Sequence, residues 1–404
     1  MIVGIIGAGA SGMAAAIAAA ENQDVQVLLF ERQARVGKKL LATGNGRCNL
    51  SNVNAGLEKY HGDAPAFAEV ALRRYPVEET LKWFGNLGLF TITEDSGKIY
   101  PYSDQANSVV DVLRFGLMKK NITVYTGFEV RKVKRTQDGF AVQGEEQMIV
   151  CDRLIVACGG LAGTKLGGSM AGYKLLGQFG HKTTKLRPSL VQLKTAWSGI
   201  SSLKGVRANC AIKIKHNDEV FVQSAGEIQF TDYGISGPVV FEISRDVCFG
   251  LGYWSADIDF MPMYTQENLL KALKARRNAE LTADELLTGI VHNRLGRVLS
   301  RSVGLRDQMA IQELDDKTLE MVCIALKNFQ IELTEPMGMD SAQVTAGGVV
   351  TEDFDPNTME SKLVPGLYAC GEVLDIDGDC GGYNLQWAWS SGRLAGTHAG
   401  GICK

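Results

Sequence analysis

Residues Gly7–Gly12 read GAGASG, and this hexapeptide decides the fold. Before it, IVGII (Ile2–Ile6) is a short apolar run of the kind that forms a buried strand. After it, AAAIAAA (Ala14–Ala20) is a strong helix former, and VQVLLF (Val25–Phe30) is a second apolar run. Strand, glycine turn, helix and strand make a βαβ unit. In G-x-G-x-x-G spacing the first glycine shapes the turn and the second lets the backbone approach a pyrophosphate at the helix N-terminus. The third lets helix and strand pack closely. Glu31 closes the second run nineteen residues after Gly12, where a carboxylate can accept hydrogen bonds from a ribose diol. The pattern predicts a dinucleotide site, and its spacing does not choose between FAD and NAD.

The chain has 404 residues, enough for two or three domains. Its 46 glycines against 9 prolines suggest many places where backbone meets backbone or ligand. A formal charge of −3 gives no global attraction to nucleic acid or an anionic membrane. Nine cysteines without a C-x-x-C pair argue against a disulfide framework and a zinc ribbon, and fit a reducing compartment. The first strand starts at once, with no secretory signal ahead of it, and the apolar run Met13–Ala20 stops at Glu21, far short of a membrane span. A cytoplasmic location is expected.

Further along, Pro65–Arg74, Pro76–Leu87 and Ala106–Asn121 carry helical patterns. A hairpin is expected over Leu89–Tyr100, turning at EDSG (Glu94–Gly97), and LIVACGG (Leu154–Gly160) reads as a buried strand ending in glycines. Character changes near residue 191, to strand-like alternation, and again near 264, to helical patterns that include a capping-box signature at Thr282–Glu285. The expected architecture is α/β: a discontinuous Rossmann-like domain from residues 1–190 and 336–404, with a β-rich insert at 191–263 and a helical insert at 264–335.

The long loop after Glu31 includes TGNGRCNLSN (Thr43–Asn52). A basic, glycine-rich loop there suits FAD, which must be held from adenine to isoalloxazine. Two later stretches carry more: GEIQFTDYGISGP (Gly226–Pro238) and TMESKLVPGLYACGEVLDIDGDCGGYNLQWAWSSG (Thr358–Gly392). With GKKLLATGNGRCNLSN, these resemble a bacterial FAD-dependent oxidoreductase family that includes bile-acid 3-dehydro-4,6-reductase and aminoacetone oxidase. The resemblance spans the chain. It implies a FAD domain, a flattened β-barrel-like substrate domain and a helical domain.

Carried over by position, the resemblance implies that Gly7, Gly9, Ala10, Ser11 and Gly12 meet the pyrophosphate, with Glu31 and Arg32 near the ribose. Lys39, Gly44, Gly46, Arg47, Cys48 and Asn49 lie along the cofactor. Val130 meets the adenine through its backbone, with Cys158 and Gly159 close by. Gly371, Glu372, Asp375, Gly382, Tyr383, Asn384, Leu385 and Gln386 surround the flavin end. There GGYNLQ places two glycines where a helix opens, so its positive end stabilises charge on the reduced ring. Many relatives have a histidine where this chain has Asp232, so that acid is absent. Tyr233 and Tyr383 are the candidate proton donors, and Asp232 is read mainly as shaping the pocket.

Competing readings are bland. Most cysteines read as buried, Cys48 as a small residue in a cofactor-hugging loop. His61, His181, His216, His292 and His398 show no ligand spacing, and no metal is expected. Arg294, Arg297, Arg301 and Arg306 recur at helical intervals. Residues 263–335, however, hold ten Lys/Arg and eleven Asp/Glu, which favours a solvated face over an RNA-binding stripe. Trp387 and Trp389 fit core packing or a pocket wall equally.

The expected activity is FAD-dependent reduction of a conjugated enone, such as a 3-oxo steroid, with NAD(P)H bound transiently as reductant because no second G-x-G-x-x-G has strand–helix context. The alternatives are oxidation of a small aminoketone such as aminoacetone, RNA modification, and FAD binding without turnover. The expected partner is a small molecule, with no nucleic acid or membrane.

Overall fold

Strand Ile2–Ile6 lies at the centre of a five-stranded sheet. In the computed structural model, which describes residues 1–247 and 252–402, the order is Leu367–Ala369, Arg153–Val156, Ile2–Ile6, Gln26–Glu31, Ile122–Thr126. Every pairing is parallel. Parallel strands are covered on both faces and therefore read as continuous apolar runs. Val3, Ile5, Val27, Leu29, Leu154 and Ile155 are fully or nearly fully buried here.

The chain divides into two units, Met1–Pro188 with Ala342–Lys404, and Ser189–Ser341. In the first, helix Ala10–Ala19 is buried along almost its whole length. Helix Tyr383–Ala399 packs against it at Gly392 and Gly396, where a side chain would strike the backbone carbonyls of Ser11 and Ala15. Small residues on both helices permit this approach. The predicted hairpin forms: Thr91–Thr93 pairs with Lys98–Pro101, and the Gly97 N–H closes the turn on the Glu94 carbonyl at 2.8 Å.

The second unit contains a closed six-stranded barrel: Leu193–Thr195, Gly234–Ser236, Glu219–Phe230, Arg207–His216, Trp254–Asp259 and Phe329–Pro336. Along Arg207–His216 the buried Cys210, Ile212 and Ile214 alternate with more exposed neighbours, the period-two pattern of a strand with one face on a core. Helices Gln266–Arg276, Asn293–Ser302 and Asp316–Lys327 lie in the chain between the last two of these strands. The stretch expected as a helical insert at 264–335 therefore also supplies barrel strand Phe329–Pro336, and it shares one unit with the β-rich insert. The first and last helices are capped by the Thr265 hydroxyl and the Asp315 carboxylate. The Thr282–Glu285 signature makes one of its two hydrogen bonds, the Thr282 N–H donating to Glu285 Oε2 at 3.0 Å, while the Glu285 N–H donates to the Thr282 carbonyl; it closes a turn and opens no helix. The reason is local. An isolated bridge between Thr288 and Val291 and a left-handed Gly289 interrupt the chain directly after it.

Candidate functional site

The GAGASG turn forms as its spacing predicts. Gly7 has φ +101, and a Cβ there would lie 2.5 Å from the Ala157 carbonyl oxygen, so only glycine fits. A Cβ at Gly12 would overlap the Gly7 oxygen. Gly9 differs: it caps helix Ala10–Ala19, and a side chain there would meet no protein atom within 4 Å. The helix carries no acidic residue in its first turn, so its positive end is not neutralised from within. That open, electropositive corner is the cradle a pyrophosphate requires.

Glu31 braces this corner. Its carboxylate accepts the Ala8 N–H at 2.9 Å and the Gln33 N–H at 2.8 Å, one on each oxygen. The Phe128 N–H donates to the Glu31 carbonyl at 2.9 Å, tying down the segment that leads to the buried Val130. Arg32 is held by the Gly167 carbonyl at 2.5 Å. Cys158 lies at the end of the neighbouring strand, with its thiol directed at the Ile6 carbonyl, and burial pushes it up to about 12. Gly159 beside it faces open space.

Two further segments close on this one within the same unit. Gly371, φ +76, approaches Ser11 so closely that a Cβ would lie 2.5 Å from its hydroxyl, and the Gly371 N–H donates to Ser391 Oγ at 3.0 Å. Lys39 and Glu372 form an ion pair at 2.9 Å, and Glu372 also accepts the Thr345 N–H at 2.9 Å. Asp375 is buried and receives the Asp63 N–H at 3.2 Å; burial raises its carboxyl above the usual range. Gly382, φ +101, opens helix Tyr383–Ala399 with the Ser51 carbonyl 2.5 Å from where its Cβ would sit.

The loop Thr43–Asn52 lies against these glycines. Gly44 packs on the Asn49 backbone, while Gly46 faces open space. Asn49 Oδ1 is buried without any hydrogen-bond donor and lies 2.8 Å from the Cβ position of Gly382. An orphaned acceptor in that corner suits a ring N–H such as a flavin carries. With the open corner at Gly9, it shows that the residues present fit FAD.

Several expected contacts have other employment. Arg47 donates to Asp104 and, at 2.9 Å, to Glu94, and its guanidinium lies 4.0 Å from the Tyr100 ring centre. These two carboxylates hold its pKa above the ordinary value. Cys48 is fully buried, and desolvation pushes its thiol up to about 12. Gln386 spends its whole amide on Ser51, Tyr75, Thr80 and Ser390 at 2.7–3.0 Å. Asn384 binds both polar backbone atoms of Gly378 at 2.7–2.8 Å, and the half-buried Leu385 packs on the core. These three latch the helix start to its loops.

Tyr383 is buried, and its carbonyl accepts the Tyr60 hydroxyl at 3.1 Å. Tyr233 belongs to the other unit, in the turn before strand Gly234–Ser236, where its carbonyl accepts the Thr195 N–H at 3.1 Å. Asp232 pairs with Lys204 at 2.7 Å, which lowers its pKa and keeps it a carboxylate, a poor acid. Arg301 pairs with Asp307 at 2.8 Å on an exposed surface. Cys151, Cys210, Cys323 and Cys370 are buried, whereas Cys248 and Cys403 lie outside the described residues. Among the described residues no three His, Cys, Asp or Glu side chains converge as metal ligands, and no helix is long and apolar enough to cross a membrane.

The family pattern described as HI0933-like protein Rossmann domain matches residues 1–398. The chain is 41% identical over 403 residues to a 3-dehydro-bile acid delta(4,6)-reductase of Clostridium scindens, covering 98% of each chain. It is 32% identical over 396 residues to a ribosomal RNA dihydrouridine synthase of Escherichia coli, covering 96% of this chain and 95% of that one. A protein of the same name from Haemophilus influenzae is 30% identical over 403 residues, covering 96% and 95%. With a glycine corner shaped for a pyrophosphate and near full-length similarity to a reductase, the chain belongs to the HI0933-like family and is a FAD-dependent oxidoreductase with a Rossmann-type domain.

Proposed function

We propose that this enzyme reduces a C=C bond conjugated to a carbonyl in a small apolar enone of the 3-oxo-4,6-diene steroid class, with NAD(P)H as a transient reductant. The observation that carries this reading is the 41% identity, over 98% of both chains, to a reductase named for that bond. Dihydrouridine, the product named for the other relatives, differs from uridine by two hydrogens across a C=C conjugated to a ring carbonyl. The three names thus share one reaction type and differ in the molecule that carries the double bond.

When bound, FAD supplies the hydride that such a reduction requires. The chain's own residues would do the rest. The first-turn amides of Ala10, Ser11 and Gly12 would bind the pyrophosphate, and Glu31 would brace that corner while accepting from the ribose. Asn49 would accept from the ring. The glycines before Tyr383 would bring a helix N-terminus to the flavin end, where its dipole favours negative charge.

An anaerobic titration tests this. NADH or NADPH should bleach the purified flavoprotein, and a 3-oxo-4,6-diene bile acid should restore its colour. Bleaching by aminoacetone, with recovery only by oxygen, would sink the proposal. A second reading, reduction of uridine in ribosomal RNA, is favoured by the two synthases of similar length. It predicts salt-dependent binding of ribosomal RNA and dihydrouridine in the treated RNA. The formal charge of −3 speaks for the small substrate.

A further inference from the structure

The tripeptide Lys59–His61 grips the loop that leads into helix Tyr383–Ala399. His61 and Tyr60 pair with Asp377 and Gly378 as a short antiparallel bridge. The Asp379 N–H donates to the Lys59 carbonyl at 3.0 Å, and the Tyr60 hydroxyl donates to the Tyr383 carbonyl at 3.1 Å. Within this clamp the Asp379 carboxylate is shared. One oxygen lies 2.6 Å from His61 Nε2 and the other 3.5 Å from Lys59 Nζ. The second ring nitrogen of His61, Nδ1, has no hydrogen-bond partner among the described residues, and the side chain is 31% exposed.

This is the arrangement of an oriented acid–base histidine. A carboxylate on one nitrogen fixes the tautomer and ring plane, leaving the other nitrogen to gain and lose the working proton. The ring contacts Asp379, three residues before Gly382, which the resemblance puts at the flavin end. An enone reduction needs one proton besides the hydride. Of the two tyrosines considered for that task, Tyr383 is buried, and its neighbour Tyr60 is held as a neutral phenol by burial, well above its usual pKa. A buried phenol is a poor proton shuttle at neutral pH. A half-exposed imidazole can be recharged by water.

We propose that His61, oriented by Asp379, is the proton donor of the site. The inference rests on the enone-reductase reading. The step is a proton transfer. The His61 Nδ1–H bond breaks, a C–H bond forms at the α-carbon of the substrate enolate, and imidazolium and enolate neutralise one another. Water then returns the proton to Nδ1. Bound FAD, reduced by NAD(P)H in the reading above, would supply the hydride that creates the enolate. Among the described residues, Asp379 pairs with the ring, Lys59 pairs with the other oxygen of Asp379, and Asp377 is the residue opposite His61 in the strand bridge.

The test uses FAD-loaded enzyme, reduced anaerobically and mixed with a 3-oxo-4,6-diene bile acid while flavin colour is followed from pH 5 to 9. His61→Asn should slow reoxidation about 100-fold or more and flatten its pH profile, with FAD content and bleaching by NAD(P)H unchanged. Asp379→Asn should shift the profile with a smaller loss. Nitrogen NMR of the wild type should show the Nε2–H tautomer of His61 at high pH. Wild-type rate and pH profile in a His61→Asn enzyme that retains FAD, or an Nδ1–H tautomer, overturns the proposal alone. A wild-type enzyme inert to the enone overturns the substrate reading, and this role with it.

Discussion

Trp389 donates its indole N–H to the carbonyl oxygen of Leu50 at 2.9 Å, from a helix at one end of the chain to a loop near the other. Trp387 makes the equivalent bond to the Gly371 carbonyl at 3.2 Å. Both indoles are buried, and each ties one loop of the cofactor corner to helix Tyr383–Ala399. Trp389→Phe keeps the ring packing and strands a buried carbonyl. It should cost about 1–3 kcal/mol, read as a lower denaturant midpoint, and should hasten FAD release, read by flavin fluorescence.

Gly9 and Gly12 should respond oppositely to alanine. At Gly12 the methyl would overlap the Gly7 carbonyl, so the variant should lose both FAD and native packing, visible in circular dichroism. At Gly9 the methyl meets no protein atom, so the apoprotein should fold and melt as wild type while FAD affinity falls. Normal FAD affinity in a folded Gly9→Ala protein would show that the corner holds no pyrophosphate.

Cys48 should be inert. With no exposed surface and a thiol pushed up to about 12, it holds almost no thiolate at neutral pH. Native protein treated with iodoacetamide at pH 7 should remain unlabelled there by mass spectrometry, and unfolded protein should be labelled. Cys48→Ser should keep its FAD and most of its turnover.

His181 should make the fold acid-sensitive. Its Nε2 contacts Ser361 Oγ at 3.0 Å, its Nδ1 lies 3.5 Å from Asp353, and its ring stacks on Phe354. The order Ser–His–Asp resembles a hydrolase triad, but the ring is fully enclosed and Ser361 Oγ already accepts two backbone N–H groups. Burial lowers the His181 pKa below the ordinary 6.5, an effect Asp353 only partly offsets. The unfolded chain therefore binds the proton more readily than the folded one. The stabilisation is complete above about 6.5 and is lost as pH falls towards the folded pKa. Chemical denaturation at pH 5 and pH 7.5 should show a smaller difference for His181→Gln than for wild type.

Local spacing carried much of this reading. The βαβ unit and the hairpin at Glu94–Gly97 each depend on residues close in sequence, so the residues alone announce them. The Thr282–Glu285 signature suggests a helix start and the structure has none there: the Thr282 N–H reaches Glu285, but the chain beyond it turns instead of coiling. Pairings between distant residues were illegible. In sequence Arg47 shows no partner of its own, because Asp104 and Glu94 lie 57 and 47 residues away. Gln386 meets Ser51 across 335 residues. His61 stands alone in the sequence, since its carboxylate partner is 318 residues further on.

The contact of Gly392 and Gly396 with the Ser11 and Ala15 carbonyls also has a meaning for biosynthesis. A ribosome delivers helix Ala10–Ala19 long before helix Tyr383–Ala399, which seals it. The nascent chain must therefore carry an uncovered alanine-rich helix until Gly392 and Gly396 have been made, and the nucleotide corner becomes complete only then. Products truncated or stalled before helix Tyr383–Ala399 should engage holding chaperones and fail to acquire flavin, so the cofactor itself reports that this helix has docked.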